Sequence, residues 1–224
     1  MPESLISGML LIVSDNHERR KPIVLIIDDD PDLRASVARL LRSLDIDTRV
    51  FASIPDFVKS DPPDDGPTCL VLDVRLPGQS GLELQRDLAA AHRELPIIFI
   101  TGHGDIPMTV RAMKGGAIEF LTKPFRDQDL LEAIQIGLAR DRARRESEEA
   151  LAALRERFGS LSPREREIMI EVARGRLSKQ IAGDIGIATA TVKVHRGRLM
   201  RKMKAPSLPA LSRMADKLKL VAEE

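Results

Sequence analysis

From Ile23 onward, short runs that are apolar throughout alternate with stretches of helical spacing. Residues 23–27 end in Asp28-Asp29-Asp30, residues 69–72 end in Asp73, and residues 97–100 end in Thr101. Such runs suit strands buried on both faces of a parallel sheet. Residues 117–121, just before Lys123-Pro124, predict a fifth strand, and the more polar residues 47–52 predict a second strand nearer an edge. Asp30-Pro31 places a capping carboxylate before a proline suited to the first helical position. Leu33, Val37, Leu40 and Leu41 then keep helical spacing, and residues 82–91, 107–115 and 127–138 supply further helices. The alternation predicts a right-handed, doubly wound α/β unit of the flavodoxin-like type, with strand order 2-1-3-4-5.

Residues 1–20 show no sustained periodicity and are expected to form a mobile N-terminal extension, which leaves residues 21–140 to the α/β domain. Residues 141–160 are dense in charge and free of proline. Ala150, Leu151, Leu154 and Phe158 keep a helical stripe there. This stretch reads as a helical linker continuing the preceding helix, and a flexible charged tether is the alternative. Residues 161–224 read as all-α. Ser162-Pro163-Arg164-Glu165 is a capping box with proline at the first helical position. Gly175 stops that helix, a second begins near Ser178, Gly186 makes a turn, and a third runs over residues 189–204.

Composition adds compartment and partner. No apolar run approaches the ~20 residues that span a bilayer, and residues 9–13 are too short for a secretory signal, so no membrane partner is expected. One cysteine, Cys69, permits no intramolecular disulfide and suits a cytoplasmic protein. Residues 21–126 carry 13 Lys and Arg against 16 Asp and Glu, whereas residues 161–224 carry 14 against 7. The second half is therefore the one suited to a polyanion.

In an open parallel sheet, groups at the carboxyl ends of neighbouring strands converge on one crevice. Here these are Asp28, Asp29, Asp73, Thr101 and Lys123. Three crowded carboxylates need a cation, and oxygen ligands select a hard one, so Mg²⁺ is expected. One carboxylate is then left to attack phosphorus, while the lysine and threonine contact phosphoryl oxygens. The segments Ile27-Asp28-Asp29-Asp30, Asp73-Val74-Arg75-Leu76-Pro77-Gly78 with Gly81, Thr101-Gly102-His103-Gly104 and Phe120-Leu121-Thr122-Lys123-Pro124-Phe125 resemble the signature stretches of two-component receiver domains, those of the FixJ branch above all. The resemblance implies that Asp73 is the phosphoacceptor. It makes Asp29, assisted by Asp28, and the backbone carbonyl of Arg75 further Mg²⁺ ligands. Thr101 and Lys123 would contact phosphate, Phe120 would change rotamer together with Thr101, and Gly102 would leave the site open to a donor.

The third C-terminal helix yields to geometry. At about 100° per residue, Val192, Leu199 and Met203 share an arc facing the core. Lys193, Val194, Gly197, Arg198 and Arg201 lie opposite, a face suited to a major groove. Arg196 flanks that arc and, with Lys202 and Lys204, is better placed for phosphates. Leu161-Ser162-Pro163-Arg164-Glu165, Gly175, Lys179-Gln180-Ile181-Ala182, Ile185-Gly186-Ile187 and Thr191-Val192-Lys193-Val194-His195 resemble the LuxR-type helix-turn-helix. Two departures stand out. Ala188 occupies a position often capped by Ser or Thr, so Thr189 is expected to cap one residue later. Gly197 occupies a groove-facing position where some relatives carry a long basic side chain.

Together these features predict a response regulator phosphorylated by a histidine kinase, which then binds promoter DNA. The implied partners extend to a second copy of the chain, through residues 110–114 and Glu119, and to RNA polymerase. The competing binding-class reading is a constitutive DNA-binding regulator whose receiver serves only for dimerisation. The intact acidic set argues against it. A phosphohydrolase with an aspartyl nucleophile is the competing enzyme reading. Such enzymes pair that nucleophile with a second Asp two residues on, followed by Thr or Val, and Asp28-Asp29-Asp30-Pro31-Asp32 does not fit. His92, His103 and His195 lack metal-ligand spacing, and Cys69 is expected in the core.

Overall fold

A computed structural model describes residues 21–60 and 66–220. The extension expected at residues 1–20 lies outside the described residues. The chain divides into two compact units after Arg144.

In the first unit, β1 (Ile23–Ile27), β2 (Asp47–Phe51), β3 (Thr68–Asp73), β4 (Ile97–Thr101) and β5 (Glu119–Thr122) form one sheet in the order β2-β1-β3-β4-β5. Every pairing is parallel. The apolar runs become the central strands because both of their faces are covered. Leu25, Ile27, Leu70, Leu72 and Phe99 point to one core, shared with α2 (Ile54–Lys59), α3 (Gly81–Ala90) and α4 (Ile106–Lys114). Val24, Ile26, Cys69, Val71, Ile98 and Ile100 point to the other, against α1 (Pro31–Arg42) and α5 (Asp127–Gly159). The mostly exposed β2 lies at an edge, as its polarity predicts. The six-residue α2, too short to register as a periodic stripe, escaped the sequence reading.

α5 is one 33-residue helix that continues past residue 138 through the stretch expected to be a helical linker. Leu130, Ile134 and Leu138 pack on the sheet. Just beyond them the buried Asp141 accepts from the backbone N–H of Thr68 at 2.8 Å and pairs with Arg144 at 2.7 Å. Between residues 139 and 160 the structure adopts the helical linker and not the tether. Within the expected stripe Leu154 is buried and Phe158 packs on the second core, but Ala150 is exposed.

In the second unit, α6 (Pro163–Ala173), α7 (Ser178–Asp184), α8 (Thr189–Met203) and α9 (Leu208–Lys217) share one core. Ser162 and Glu165 form the expected capping box. Glu165 is itself buried and pairs with Lys202 at 2.7 Å, which holds its carboxyl below its ordinary range. α9, capped by Ser207, adds a helix beyond the three read from sequence. Thr189 does not cap α8. It is the first helical residue, and Ala188 at the cap offers no side-chain acceptor.

Candidate functional site

The first site lies at the carboxyl ends of the sheet. β1 leads directly into Asp28, which is fully buried, with Asp29 exposed beside it. The Asp28 loop is held by its own Oδ1, which accepts from Asp30 N at 2.9 Å, and by Arg34 Nη1, which donates to the Asp28 carbonyl at 2.5 Å. The sequence reading missed Arg34, since its position on α1 looks like any solvated charge. Asp73 ends β3, and its Oδ1 accepts from the backbone N–H of Arg75 at 2.9 Å. α3 begins close against it: a Cβ on Gly81 would lie 2.5 Å from the Asp73 carbonyl oxygen. A methyl group there would displace backbone, so Gly81 fixes how near α3 approaches the site.

One oxygen from each of Asp28, Asp29 and Asp73 falls within 4.8 Å of the others. Lys123, in the loop after β5, donates to Asp28 Oδ2 at 2.6 Å and to Asp73 Oδ2 at 2.7 Å. Burial raises the Asp28 pKa and outweighs the lowering by Lys123. For Lys123, burial opposes the charge, but its bonds to the two carboxylates prevail and raise its pKa. Thr101, buried at the end of β4, lies one residue beyond the β-partner of Asp73. Its hydroxyl accepts from His103 N at 3.3 Å. The half-buried Phe120 ring on β5 packs 6.3 Å from that of Phe99. Cys69 is enclosed in the sheet, and burial, followed by the charge of Asp141, pushes its thiol up to about 12.

The second site is the outer face of α8. Val192, Leu199 and Met203 are buried, whereas Lys193, Val194, Arg198 and Arg201 are exposed. Val194, 53% exposed, is an apolar contact left in solvent amid cations. Arg196 is half-buried, and its Nη1 donates to Ser178 Oγ at 3.0 Å, tying α8 to the start of α7. Lys202, expected at a phosphate, is engaged instead: its Nζ donates to Glu165 Oε2 and, at 3.2 Å, to the Ser160 carbonyl. Leu177, just before α7, is 68% exposed and had not been singled out, because a lone leucine carries no signal without its neighbours in space.

The chain is similar to known proteins over both units. Residues 24–135 match the response regulator receiver domain family. Residues 159–215 match the luxR family of bacterial regulatory proteins. The chain is 51% identical over 202 residues to nodulation protein W of Bradyrhizobium diazoefficiens, covering 90% of this chain and 88% of that protein. It is 43% identical over 192 residues to the transcriptional regulatory protein FixJ of Azorhizobium caulinodans, covering 86% and 90%. The solved structure of the response regulator StyR is similar with a TM-score of 0.79 and 47% identity, over 88% of this chain and 99% of that one. Among the described residues, no helix is long and apolar enough to cross a membrane. With a receiver fold that gathers an acidic site and a LuxR-type helical unit that presents a basic helix, this chain belongs to the two-component response regulators of the FixJ type.

Proposed function

We propose that Asp73 is the phosphoacceptor and that its phosphorylation by a histidine kinase controls binding of promoter DNA by α8. The observation that carries this is the convergence of Asp28, Asp29 and Asp73 within 4.8 Å, with Lys123 bonded to two of them. A carboxylate oxygen of Asp73 attacks phosphorus, the P–N bond of a phosphohistidine breaks, and the imidazole leaves. Lys123 neutralises charge on the transferred group, and Thr101 donates to another of its oxygens. Asp28, Asp29, Asp73 and the Arg75 carbonyl would hold Mg²⁺. Three carboxylates with one exposed edge fit a hard ion that keeps several waters. When bound, such an ion screens the charge of the incoming phosphoryl group.

The receiver is assigned to residues 21–140, the linker to 141–160 and the DNA-binding domain to 161–224. The phosphorylated receiver pairs with a second copy through α4 and β5. Exposed Ile106, Val110 and Met113 on α4 supply an apolar surface for that contact. On DNA, Lys193 and Val194 read base edges, while Arg196, Arg198 and Arg201 orient the helix or contact phosphates. Arg196 does so from a position braced by Ser178. RNA polymerase is the natural further partner, and the location is cytoplasmic, where a kinase and DNA are both accessible. The chain turns over no other substrate and only slowly loses its own phosphate. Incubation with acetyl phosphate and Mg²⁺, followed by genome-wide footprinting, tests the reading. Labelling at Asp73 with a stronger footprint supports it, and equal footprints from labelled and unlabelled protein refute it.

A further inference from the structure

The loop after β4 contains two glycines with opposite surroundings. A Cβ on Gly102 would meet nothing within 4 Å. On Gly104 it would lie 2.9 Å from Cε1 of Phe120, 3.2 Å from Cγ2 of Thr122 and 3.4 Å from Cγ2 of Thr101. Gly104 is not among the residues with positive φ. Its backbone is open to any residue, so position 104 needs a glycine for space and not for conformational freedom. The space is taken by the edge of the Phe120 ring. In this arrangement the Thr101 hydroxyl bonds the His103 backbone. Among the described residues it makes no hydrogen bond to Asp73 or Lys123.

We propose that Gly104 is a positioning residue, whose missing side chain is the seat of Phe120 in the unphosphorylated receiver. The proposal rests on the phosphorylation reading above and adds the determinant of its resting state. A methyl group at 104 overlaps the ring edge and crowds the Thr101 methyl, so it disfavours the pose in which Thr101 is turned to the loop. The pose with Thr101 turned to the phosphoryl group gains population, by roughly fivefold or more if the overlap behaves like ordinary overpacking.

The test is titration of the full chain with beryllofluoride and Mg²⁺, a stable stand-in for the phosphoryl group. Gly104→Ala is expected to bind it about fivefold more tightly than the wild type and to dimerise at lower concentration without it. In a Phe120→Leu background the smaller side chain relieves the overlap, and Gly104→Ala is expected to have no effect, a non-additivity diagnostic of contact. With six Phe and no Tyr or Trp, ring resonances give a direct readout. The Phe120 signal of Gly104→Ala should move toward its position in the beryllofluoride-bound wild type. Unchanged or weaker binding by Gly104→Ala overturns the proposal, as does an equal gain in the Phe120→Leu background. A wild type that takes up no more beryllofluoride than Asp73→Asn overturns the phosphorylation reading itself.

Discussion

In the receiver, Asp28, Asp73 and Lys123 come from the ends of three strands and meet in space, with Thr101 at the end of a fourth. In the second unit, Lys193, Val194, Arg198 and Arg201 come from one helix and are exposed. The first set is mostly buried, and Asp28 and Asp73 share Lys123 as a partner. The second faces solvent, and on the proposed reading its partner is DNA. A buried site of this kind must be held by the whole sheet, because each charge there is tolerable only beside its neighbours. A solvent face needs only a helix whose opposite side is anchored in a core. Loss of one residue should therefore abolish the first function and merely weaken the second.

Asp73→Asn offers the largest contrast. Labelling by acetyl phosphate should fall to background while circular dichroism stays that of the wild type. Labelling at wild-type level would break the assignment of the acidic site. In the second unit, the comparable blow falls on the anchor and not on the reading face. Leu199→Ala empties a fully buried position of the shared core and should cost about 2–5 kcal/mol in urea unfolding of that unit, with DNA binding lost along with the fold.

Lys193→Ala should cost about 1–3 kcal/mol of DNA affinity and relax preference at one base. Binding to a panel of single-base variants at two salt concentrations reads this. A uniform loss, with a salt slope smaller by about one, would move Lys193 to a phosphate.

The Glu165–Lys202 pair makes the second unit sensitive to acid. Because the Glu165 pKa is lowered on folding from its ordinary 4.5, its contribution is present above that value and disappears as pH falls through the depressed one. Lys202→Met should cost about 1–2 kcal/mol at pH 7. The deficit should shrink in that acid range, as followed by urea midpoints across pH. A deficit independent of pH would show that Lys202 acts through packing alone. Smallest and opposite in sign is Gly197→Ala. The position is inside α8, a Cβ there meets nothing within 4 Å, and its φ is not positive. Alanine should stabilise the helix by up to about 1 kcal/mol, read as a small rise in Tm.

The runs at residues 23–27, 69–72 and 97–100 determined the sheet by themselves, since only strands covered on both faces carry such unbroken apolarity. The same runs ended in Asp28, Asp73 and Thr101, so topology alone was enough to bring the acidic site together. Periodicity likewise fixed which side of α8 faces its core. Tertiary structure decided what depends on distance between residues far apart in sequence. It turned Lys202 from a DNA contact into the partner of buried Glu165, and it braced Arg196 on Ser178. It anchored α5 beyond residue 138 through Asp141 on Thr68, a bond across 73 residues. It separated Gly102 from Gly104, identical in sequence terms, by placing one in the open and the other against Phe120. A linear pattern encodes which face a residue takes. Which atom it meets there is set by packing, and packing is a property of the folded whole.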